Sequence, residues 1–260
     1  MKLEVKNACC GYDEISILKN ISFTVESGDV FCLLGPNGSG KTTLFRAILG
    51  FLKLQGGEIL LNGENISNID RNNFAKIIGY VPQAHTPSFS YKVIDVVLMG
   101  RSPHIGRFSS PKRIDIQIAE ECLSKLGIEH LRDRIYTEIS GGERQLTLVA
   151  RALAQKPHFL ILDEPTSNLD FGNQTMVLKH INRIVKDGMG VIMTTHFPNH
   201  AFLCSTKIAL IHKDFQFQVG APAKIITEDN LRKLYNMNIK IVSIKPETSD
   251  NEVKCCIPII

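Results

Sequence analysis

The stretch Gly35-Pro36-Asn37-Gly38-Ser39-Gly40-Lys41-Thr42 decides the fold of this 260-residue chain. Two glycines separated by four residues are followed at once by lysine and threonine. The stretch lies between an apolar run at 30–34 and a segment of helical periodicity at 42–52. Strand, glycine-rich loop and helix in this order predict a phosphate-binding unit, because the loop N–H groups can converge on one anion and the helix N-terminus adds about half a positive charge.

The side chains of this loop have distinct expected roles. Lys41 would reach the β and γ phosphates of a nucleoside triphosphate, and the Thr42 hydroxyl would bind Mg²⁺ beside the same oxygens. The alternative, a glycine-rich turn that merely connects strand and helix, is disfavoured by the flanking pattern. The expected nucleotide-binding residues are Gly35, Asn37, Gly38, Ser39, Gly40, Lys41, Thr42 and Thr43.

A second motif is the apolar run Phe159–Leu162, which ends abruptly in Asp163 and Glu164. Open α/β sheets bind their ligands at such strand ends. Asp163 suits Mg²⁺, directly or through water, and Glu164 is a candidate general base for an attacking water. Taken alone, the pattern is also typical of any strand that leaves a core.

The third motif, Ser140-Gly141-Gly142, precedes a helix with one apolar face. That face consists of Leu146, Val149, Ala150 and Leu153. A helix N-terminus of this kind is a second anion site, and one chain does not need two such sites for a single phosphate tail.

The remaining pattern predicts an α/β core that a helical section interrupts. Short strands with an Asn62-Gly63 turn indicate an antiparallel sheet near the N-terminus, and a hairpin is predicted at the C-terminus. The section after residue 83 is helical and carries a basic loop at 101–113. The predicted strands are 3–5, 15–25, 58–66, 77–81, 159–162, 191–195, 208–212, 240–244 and 253–260, with a helix at 174–186.

Composition narrows the class of protein. The longest apolar runs are far shorter than the roughly 18 residues needed to cross a bilayer, and the alternating N-terminal residues 1–6 indicate a strand rather than a signal peptide. We therefore expect a cytoplasmic protein. The net charge of +4 is scattered along the chain, which argues against nucleic-acid binding. The seven cysteines form no C-x-x-C pair, which favours reduced thiols.

The three motifs together resemble the nucleotide-binding subunits of ABC transporters, from residue 3 to about residue 200. The resemblance implies an α/β fold with a P-loop (RecA-like) core, an N-terminal antiparallel β subdomain and an inserted helical subdomain. The expected core with its β subdomain covers 1–83 and 158–225, the helical signature subdomain covers 84–157, and a tail of helix and β-hairpin covers 226–260.

Further site residues follow from the resemblance. It implies that Tyr12 stacks on adenine, that Gln83 touches Mg²⁺ and the permease, and that His196 senses the γ phosphate. Lys41, Glu164 and His196 are thereby the expected catalytic residues, and Thr42, Gln83 and Asp163 the expected metal ligands. The alternatives are a strand cap for Tyr12, a plain loop residue for Gln83 and an ordinary polar strand end for His196.

The resemblance also implies partners. In the family, Ser140, Gly141 and Gly142 would contact the ATP held by a second, head-to-tail copy, and 167–170 would communicate across that dimer. The cofactors are then ATP and Mg²⁺. Segments 97–104 and 194–199 resemble importers of iron chelates, haem, vitamin B12 and molybdate or tungstate. A permease would bind residues 83–107, an extracytoplasmic substrate-binding protein would act indirectly, and the chain would sit peripherally on the cytoplasmic face of the membrane.

Two residues depart from the usual signature of the family: Ile139 replaces leucine and Glu143 replaces glutamine. A carboxylate in the first helical turn suits the helix dipole but would repel a nearby phosphate, so Glu143 is hypothesised to tune the ATPase rate. Two other functions share these motifs. One is a soluble ABC ATPase of cluster assembly, translation or DNA repair, which the lack of a coiled-coil insertion disfavours. The other is an inactive nucleotide binder, which the intact motifs disfavour.

Overall fold

A computed structural model describes residues 1–83, 90–106, 109–212, 216–245 and 252–259. The chain forms two compact units. The first combines Met1–Ile66 with Gly190–Ile260, and the second is Ser67–Met189. The subdomain boundaries at 83/84 and 157/158 that the family resemblance implies describe a different division of the chain, and that division stays a prediction.

The strands and helices are numbered in chain order. They are β1 Lys2–Tyr12, β2 Ile15–Glu26, β3 Val30–Leu34, α1 Lys41–Ile48, β4 Gly56–Leu61, β5 Glu64–Asn65, α2 Arg71–Ile77, β6 Ile78–Val81, α3 Val93–Leu98, α4 Arg113–Lys125, α5 Gly141–Ala154, β7 Phe159–Leu162, α6 Phe171–Lys186, β8 Gly190–Thr195, α7 Pro198–Cys204, β9 Lys207–Ile211, β10 Phe217–Gly220, α8 Pro222–Ile225, α9 Glu228–Tyr235, β11 Ile239–Ile244 and β12 Val253–Pro258. Short 3-10 turns occupy Ile66–Asn68, Met99–His104 and Glu129–Leu131.

The first unit begins with an antiparallel sheet in the order β2-β1-β4-β5. Leu3 and Val5 of β1 are buried, as the alternating pattern requires. Asn62 and Gly63 both have positive φ, at 51° and 86°, which is the backbone that a two-residue hairpin turn demands. The predicted N-terminal antiparallel sheet is confirmed.

The same unit contains strands in the order β10-β9-β3-β8, in which β3 pairs in parallel with both β8 and β9 and β10 pairs antiparallel with β9. All five residues of β3 are buried, which explains its continuous apolar run. Leu34 is level with Thr195 of β8. The chain therefore leaves β3 and β8 at the same edge of the sheet.

Two helices differ from the predicted bounds for local reasons. Helix α1 ends at Ile48 rather than near residue 52, because Gly50 adopts φ +70° and its N–H donates to the Ala47 carbonyl. Helix α6 begins at Phe171 rather than at residue 174, because the Asp170 side chain accepts the Asn173 N–H and caps it.

The second unit is mainly helical around the parallel pair β6 and β7, and the predicted helical section is confirmed over the residues described. The prediction of a basic loop at 101–113 is wrong for its first residues. Arg101 lies in a 3-10 turn and is buried, with its guanidinium 3.0 Å from Asp115 of α4 and 2.7 Å from the Ala154 carbonyl of α5. A long arginine satisfied in this way packs as a core residue.

The C-terminal part of the first unit runs through α8 and α9 to the antiparallel pair β11–β12. The predicted hairpin is confirmed over the described residues of both strands, whereas residues 246–251 and 260 lie outside them. Among the helices that the structure describes, none combines the length and the apolar character that a membrane span needs.

Candidate functional site

The loop between β3 and α1 is shaped by glycine. Gly38 and Gly40 have φ of +78° and +94°, where residues with a Cβ are strained. A Cβ on Gly35 would lie 2.7 Å from both the Ile211 carbonyl oxygen and the Ser39 hydroxyl. The loop can therefore curl tightly against β9 and lead directly into the N-terminus of α1.

Lys41 lies at the centre of this loop. Its Nζ donates to the carbonyl oxygens of Gly35 at 2.9 Å and Pro36 at 3.0 Å, and the residue is only 5% exposed. The structure thus holds an ammonium charge inside the curl of the backbone. A phosphate entering the curl would meet that charge together with the positive end of the α1 dipole.

Ser39 gives the loop an unmet hydrogen-bonding capacity. Its hydroxyl is buried, and no partner for it occurs within the described ranges. Buried hydroxyls are normally satisfied, and an exception often marks a ligand position. Thr43 is buried, whereas Thr42, the residue predicted to bind the metal, is exposed. The chemistry of this loop fits a triphosphate and its cation.

Tyr12 stands at the end of β1 and is 41% exposed as a residue. Its hydroxyl accepts a hydrogen bond of 2.8 Å from Arg46 of α1. The helix that begins at the phosphate loop therefore also orients the tyrosine ring. No sequence pattern pointed to Arg46, because the two residues are 34 positions apart.

His196 follows β8 directly, at the sheet edge where the phosphate loop begins. The Gly35 N–H points to the Thr195 carbonyl at 3.4 Å, so the two segments leave the sheet side by side. His196 is half-buried, and its ring centroid is 4.0 Å from that of Phe197. Burial, and then the charge of His196, lower the pKa of the buried His200 to about 4.

In the second unit, Asp163 and Glu164 follow β7. The Asp163 N–H donates to the Val81 carbonyl at 2.9 Å, so the carboxylates lie beside the end of β6. Asp163 is 4% exposed and Glu164 is half-buried. Glu164 has φ +46°, a backbone conformation that residues other than glycine rarely adopt and that often marks functional positions.

Gln83 joins this pair through Ser167. The Gln83 amide lies 3.5 Å from the Ser167 hydroxyl, which donates to the Glu164 carbonyl at 2.9 Å. Gln83, Glu164 and Ser167, which the sequence assigned to different motifs, therefore form one cluster. The 84 positions between Gln83 and Ser167 hide this cluster from any local pattern.

The Ser140-Gly141-Gly142 segment, here called the signature segment, starts α5. The Ser140 hydroxyl accepts the Glu143 N–H at 3.3 Å, and the Glu143 carboxylate accepts the Ser140 N–H at 2.8 Å. Hydrogen bonding of the Glu143 carboxylate to the Ser140 side chain, and then to the Ser140 backbone N–H, lowers the pKa of that carboxyl. Glu143 therefore caps the helix that carries the signature segment.

The signature segment also contacts the start of α6. A Cβ on Gly142 would lie 2.4 Å from the Asn173 side-chain oxygen, and Asn173 is in turn bound to Asp170 at 2.7 Å. A Cβ on Gly141 would meet nothing nearer than Leu169 at 3.6 Å. Gly142 is thus required by packing inside the chain, whereas Gly141 is not.

The predicted site residues fall into two groups. The first unit brings together the phosphate loop and His196, with Tyr12 tied to α1 by Arg46. The second unit brings together Gln83, Asp163, Glu164 and the signature segment with residues 167–170. Sequence reasoning missed Arg46 and Asn173, which carry no motif of their own.

Comparison with known proteins identifies the class. A family profile described as "ABC transporter" matches residues 18–167. The molybdate import ATP-binding protein MolC of Haemophilus influenzae is 38% identical over 90% of this chain and 88% of its own. A probable iron chelatin transport ATP-binding protein of Helicobacter pylori is 36% identical over 93% and 96%.

A solved structure gives the same result. It is described as a metal-chelate type ABC transporter in an inward-facing conformation, and it superposes with a TM-score of 0.89 at 35% identity, over 99% of this chain and 97% of its own. The chain belongs to the ABC transporter family. It is an ATP-binding subunit of that family, an ATPase, and subunits of this kind dimerise and pair with membrane permease components.

Proposed function

We propose that this chain powers an importer for a metal chelate or a related substrate, such as an iron-siderophore, haem, cobalamin, molybdate or tungstate. The observation that carries the proposal is the phosphate loop, with the buried ammonium of Lys41 and the unmet hydroxyl of Ser39. The substrate class is supported by relatives whose names specify molybdate import and iron chelatin transport.

Nucleotide binding is assigned first to the phosphate loop. The backbone of residues 35–43 and the Lys41 ammonium would bind the β and γ phosphates, with phosphate oxygens replacing the carbonyls of Gly35 and Pro36 as acceptors. The exposed face of Tyr12 would stack on adenine, and Arg46 would hold the ring in place.

Hydrolysis is assigned to Glu164, with Lys41 and His196. Glu164 would accept a proton from water as the water oxygen bonds to the γ phosphorus, and the bond to the β–γ bridging oxygen would break to release ADP. His196 and Lys41 would donate hydrogen bonds to the γ-phosphate oxygens. Thr42, Gln83 and Asp163 are the residues that would hold Mg²⁺, which when bound neutralises phosphate charge.

Two partners complete the proposed assembly. A second copy, arranged head to tail, would place its Ser140, Gly141 and Gly142 on the γ phosphate of the first. Permease subunits would bind the region from Gln83 to Arg107, of which 84–89 and 107 lie outside the described residues. The extracytoplasmic substrate-binding protein would act through the permease, and no nucleic acid would bind.

The subunit would lie peripherally on the cytoplasmic face of the membrane. Within the subunit, residues 84–157 would form the helical subdomain.

ATP turnover and size-exclusion chromatography of wild type and Glu164→Gln test the mechanism. We expect turnover to fall by at least about 100-fold in the variant, because the base is lost while the side chain keeps its size. With ATP and Mg²⁺ the variant should elute as a dimer, since the nucleotide joining the two copies persists. A variant that hydrolyses normally, or stays monomeric in ATP, contradicts the assignment.

The importer assignment has a separate test. Deleting the gene in its own organism should abolish uptake of at least one labelled substrate among iron-siderophore, haem, cobalamin, molybdate and tungstate, and the Glu164→Gln gene should fail to restore it. The tagged subunit should copurify with a membrane permease. Normal uptake of every one of these substrates together with a permease-free complex would support the soluble ATPase instead.

A further inference from the structure

The turn that carries His196 is tied to the C-terminal end of the chain. Tyr235, the last residue of α9, donates a hydrogen bond of 2.8 Å from its hydroxyl to the His196 carbonyl oxygen. The two residues are 39 positions apart and belong to the same compact unit. A side chain from the C-terminal segment thus fixes the backbone of a proposed catalytic residue.

A second tie lies one helical turn further on. Asn199, in the first turn of α7, accepts the Cys256 N–H of β12 at 2.7 Å, and its amide approaches the Cys256 carbonyl at 3.4 Å. The side-chain amide therefore binds both backbone groups of Cys256, much as a neighbouring strand would. This pair of contacts fixes the start of α7, only three residues after His196.

The environment of Tyr235 makes its contact durable. Burial raises the pKa of the phenol well above its ordinary range, and the nearby thiols of Cys32 and Cys256 act in the same direction. The hydroxyl therefore stays protonated and remains a donor at all physiological pH values. Cys32 belongs to β3, which leads into the phosphate loop, so Tyr235 is packed near the strand that sets the position of that loop.

We propose that Tyr235 and Asn199 are positioning residues for His196, and that the hydrogen bonds of these two side chains, here called the strap, hold the turn at 195–199 in its hydrolytic geometry. The inference rests on the proposed role of His196. A hydrogen bond from an imidazole to a γ phosphate depends on its position to a fraction of an ångström. The bonds within the turn itself, such as Phe197 N–H to the Thr195 hydroxyl at 3.1 Å, shape the turn but do not tie it to another element.

Full-length Tyr235→Phe and Asn199→Ala test the strap. Lys240→Gln is the matched control, because Lys240 pairs with Glu228 at 3.2 Å within the same C-terminal segment. We expect kcat for ATP to fall about threefold to tenfold in Tyr235→Phe and Asn199→Ala, in line with the loss of a hydrogen bond to a catalytic segment. KM for ATP should stay within about twofold in both, because the strap does not touch the phosphate loop. Lys240→Gln should keep the wild-type kcat.

Two further measurements separate positioning from general stability. Thermal melts should show that Tyr235→Phe and Lys240→Gln are both folded at the assay temperature. The His196 imidazole carbon resonance, assigned by its loss in His196→Ala, should shift in Tyr235→Phe and stay in place in Lys240→Gln. In a His196→Ala background, Tyr235→Phe should cause no additional loss of turnover, because residues that act as a unit are not additive.

The outcomes distinguish the strap from the proposed function. If His196→Ala sharply lowers turnover to a measurable residual rate while Tyr235→Phe and Asn199→Ala behave like Lys240→Gln, the strap is wrong and the role of His196 stands. If His196→Ala turns over normally, the role of His196 fails and the strap with it. A lower kcat in Tyr235→Phe that persists unchanged in the His196→Ala background would also overturn the strap.

Discussion

At the scale of single residues, Glu143 and Ser39 differ in whether their polar groups have hydrogen-bond partners. The Glu143 carboxylate is engaged with the backbone of Ser140, whereas the buried Ser39 hydroxyl has no partner in the described part of the chain. The first stabilises the folded chain, and the second costs stability until a ligand arrives. The two residues therefore predict different responses to substitution.

Ser39→Ala should weaken ATP binding by about threefold to tenfold and leave the free energy of unfolding without nucleotide unchanged or slightly raised, because the lost hydroxyl has no partner there. Urea unfolding and nucleotide titration measure the two effects. Ser22→Ala is the matched control, since Ser22 accepts the Asn7 N–H at 2.8 Å in the same unit. Ser22→Ala should have a lower free energy of unfolding and an unchanged affinity for ATP. If Ser39→Ala also lost stability and kept its affinity for ATP, the assignment of the Ser39 hydroxyl to the nucleotide would be refuted.

Glu143→Ala should lower the free energy of unfolding by about 1 kcal/mol at pH 7, through loss of the helix cap. Because the folded pKa of Glu143 is lowered, its contribution is present above the unfolded pKa of about 4.3 and is lost as pH falls through the folded value. Urea unfolding should therefore show the difference from wild type shrinking below about pH 4. A difference that stays constant with pH would contradict the assigned role of the carboxylate.

Glu143→Gln is the control for that experiment. Its side-chain carbonyl can still accept the Ser140 N–H, so the cap should persist, and its contribution should not depend on the titration of residue 143. The same variant tests whether the carboxylate tunes the ATPase rate. Equal turnover of Glu143→Gln and wild type would reject that hypothesis.

At the scale of secondary-structure elements, Arg101 and Asp115 form a buried ion pair within the second unit. Arg101, in the 3-10 turn after α3, binds Asp115 of α4 and the last carbonyl of α5, so a single guanidinium joins three elements. The Lys112 backbone N–H and the Arg101 guanidinium both lower the pKa of Asp115. The Asp115 carboxylate therefore stays ionised while buried.

Arg101→Met should destabilise the chain by about 3 kcal/mol, because it leaves the Asp115 charge buried without its partner. Arg113→Met, which removes an exposed arginine at the start of α4, should change the free energy of unfolding by less than about 0.5 kcal/mol. Equilibrium unfolding in urea compares the two variants. Equal midpoints would show that the ion pair adds nothing to stability.

At the scale of the whole molecule, the proposed head-to-tail dimer takes the phosphate loop of each ATP site from one chain and the signature segment from the other. Lys41 and Gly141 represent these two parts. Gly141 is suited to substitution, since a Cβ there makes only an ordinary contact with Leu169. A change at Gly141 would therefore act mainly on what binds the signature segment from outside the chain.

Mixing Lys41→Ala with Gly141→Asp should restore ATP turnover that neither variant has alone. In a mixed dimer, one ATP site combines the altered phosphate loop of the Lys41→Ala chain with the altered signature segment of the Gly141→Asp chain. The other site combines the intact phosphate loop of the Gly141→Asp chain with the intact signature segment of the Lys41→Ala chain. Steady-state turnover across mixing ratios should peak near equal amounts. A mixture as inactive as its components would indicate that each chain completes its own site, contrary to the proposed arrangement.

The sequence by itself determined the phosphate loop, the order of strands and helices, and the antiparallel start of the chain. These features depend on local spacing, on glycine conformation and on hydrophobic period, all of which can be read within about ten residues. It also identified Asp163 and Glu164 as residues at the end of a buried strand. It placed the ends of α1 and α6 a few residues away from their observed positions, because caps depend on single hydrogen bonds.

The tertiary structure decided which distant residues support the candidate site. Arg46 holds Tyr12, Ser167 links Gln83 to Glu164, and Tyr235 binds the backbone of His196. The directly bonded partners in the longer links are 34, 84 and 39 positions apart. Such contacts form only where the fold brings separate elements to one place, and the side chains that make them have no periodicity or motif of their own. For that physical reason they could not be predicted from one sequence.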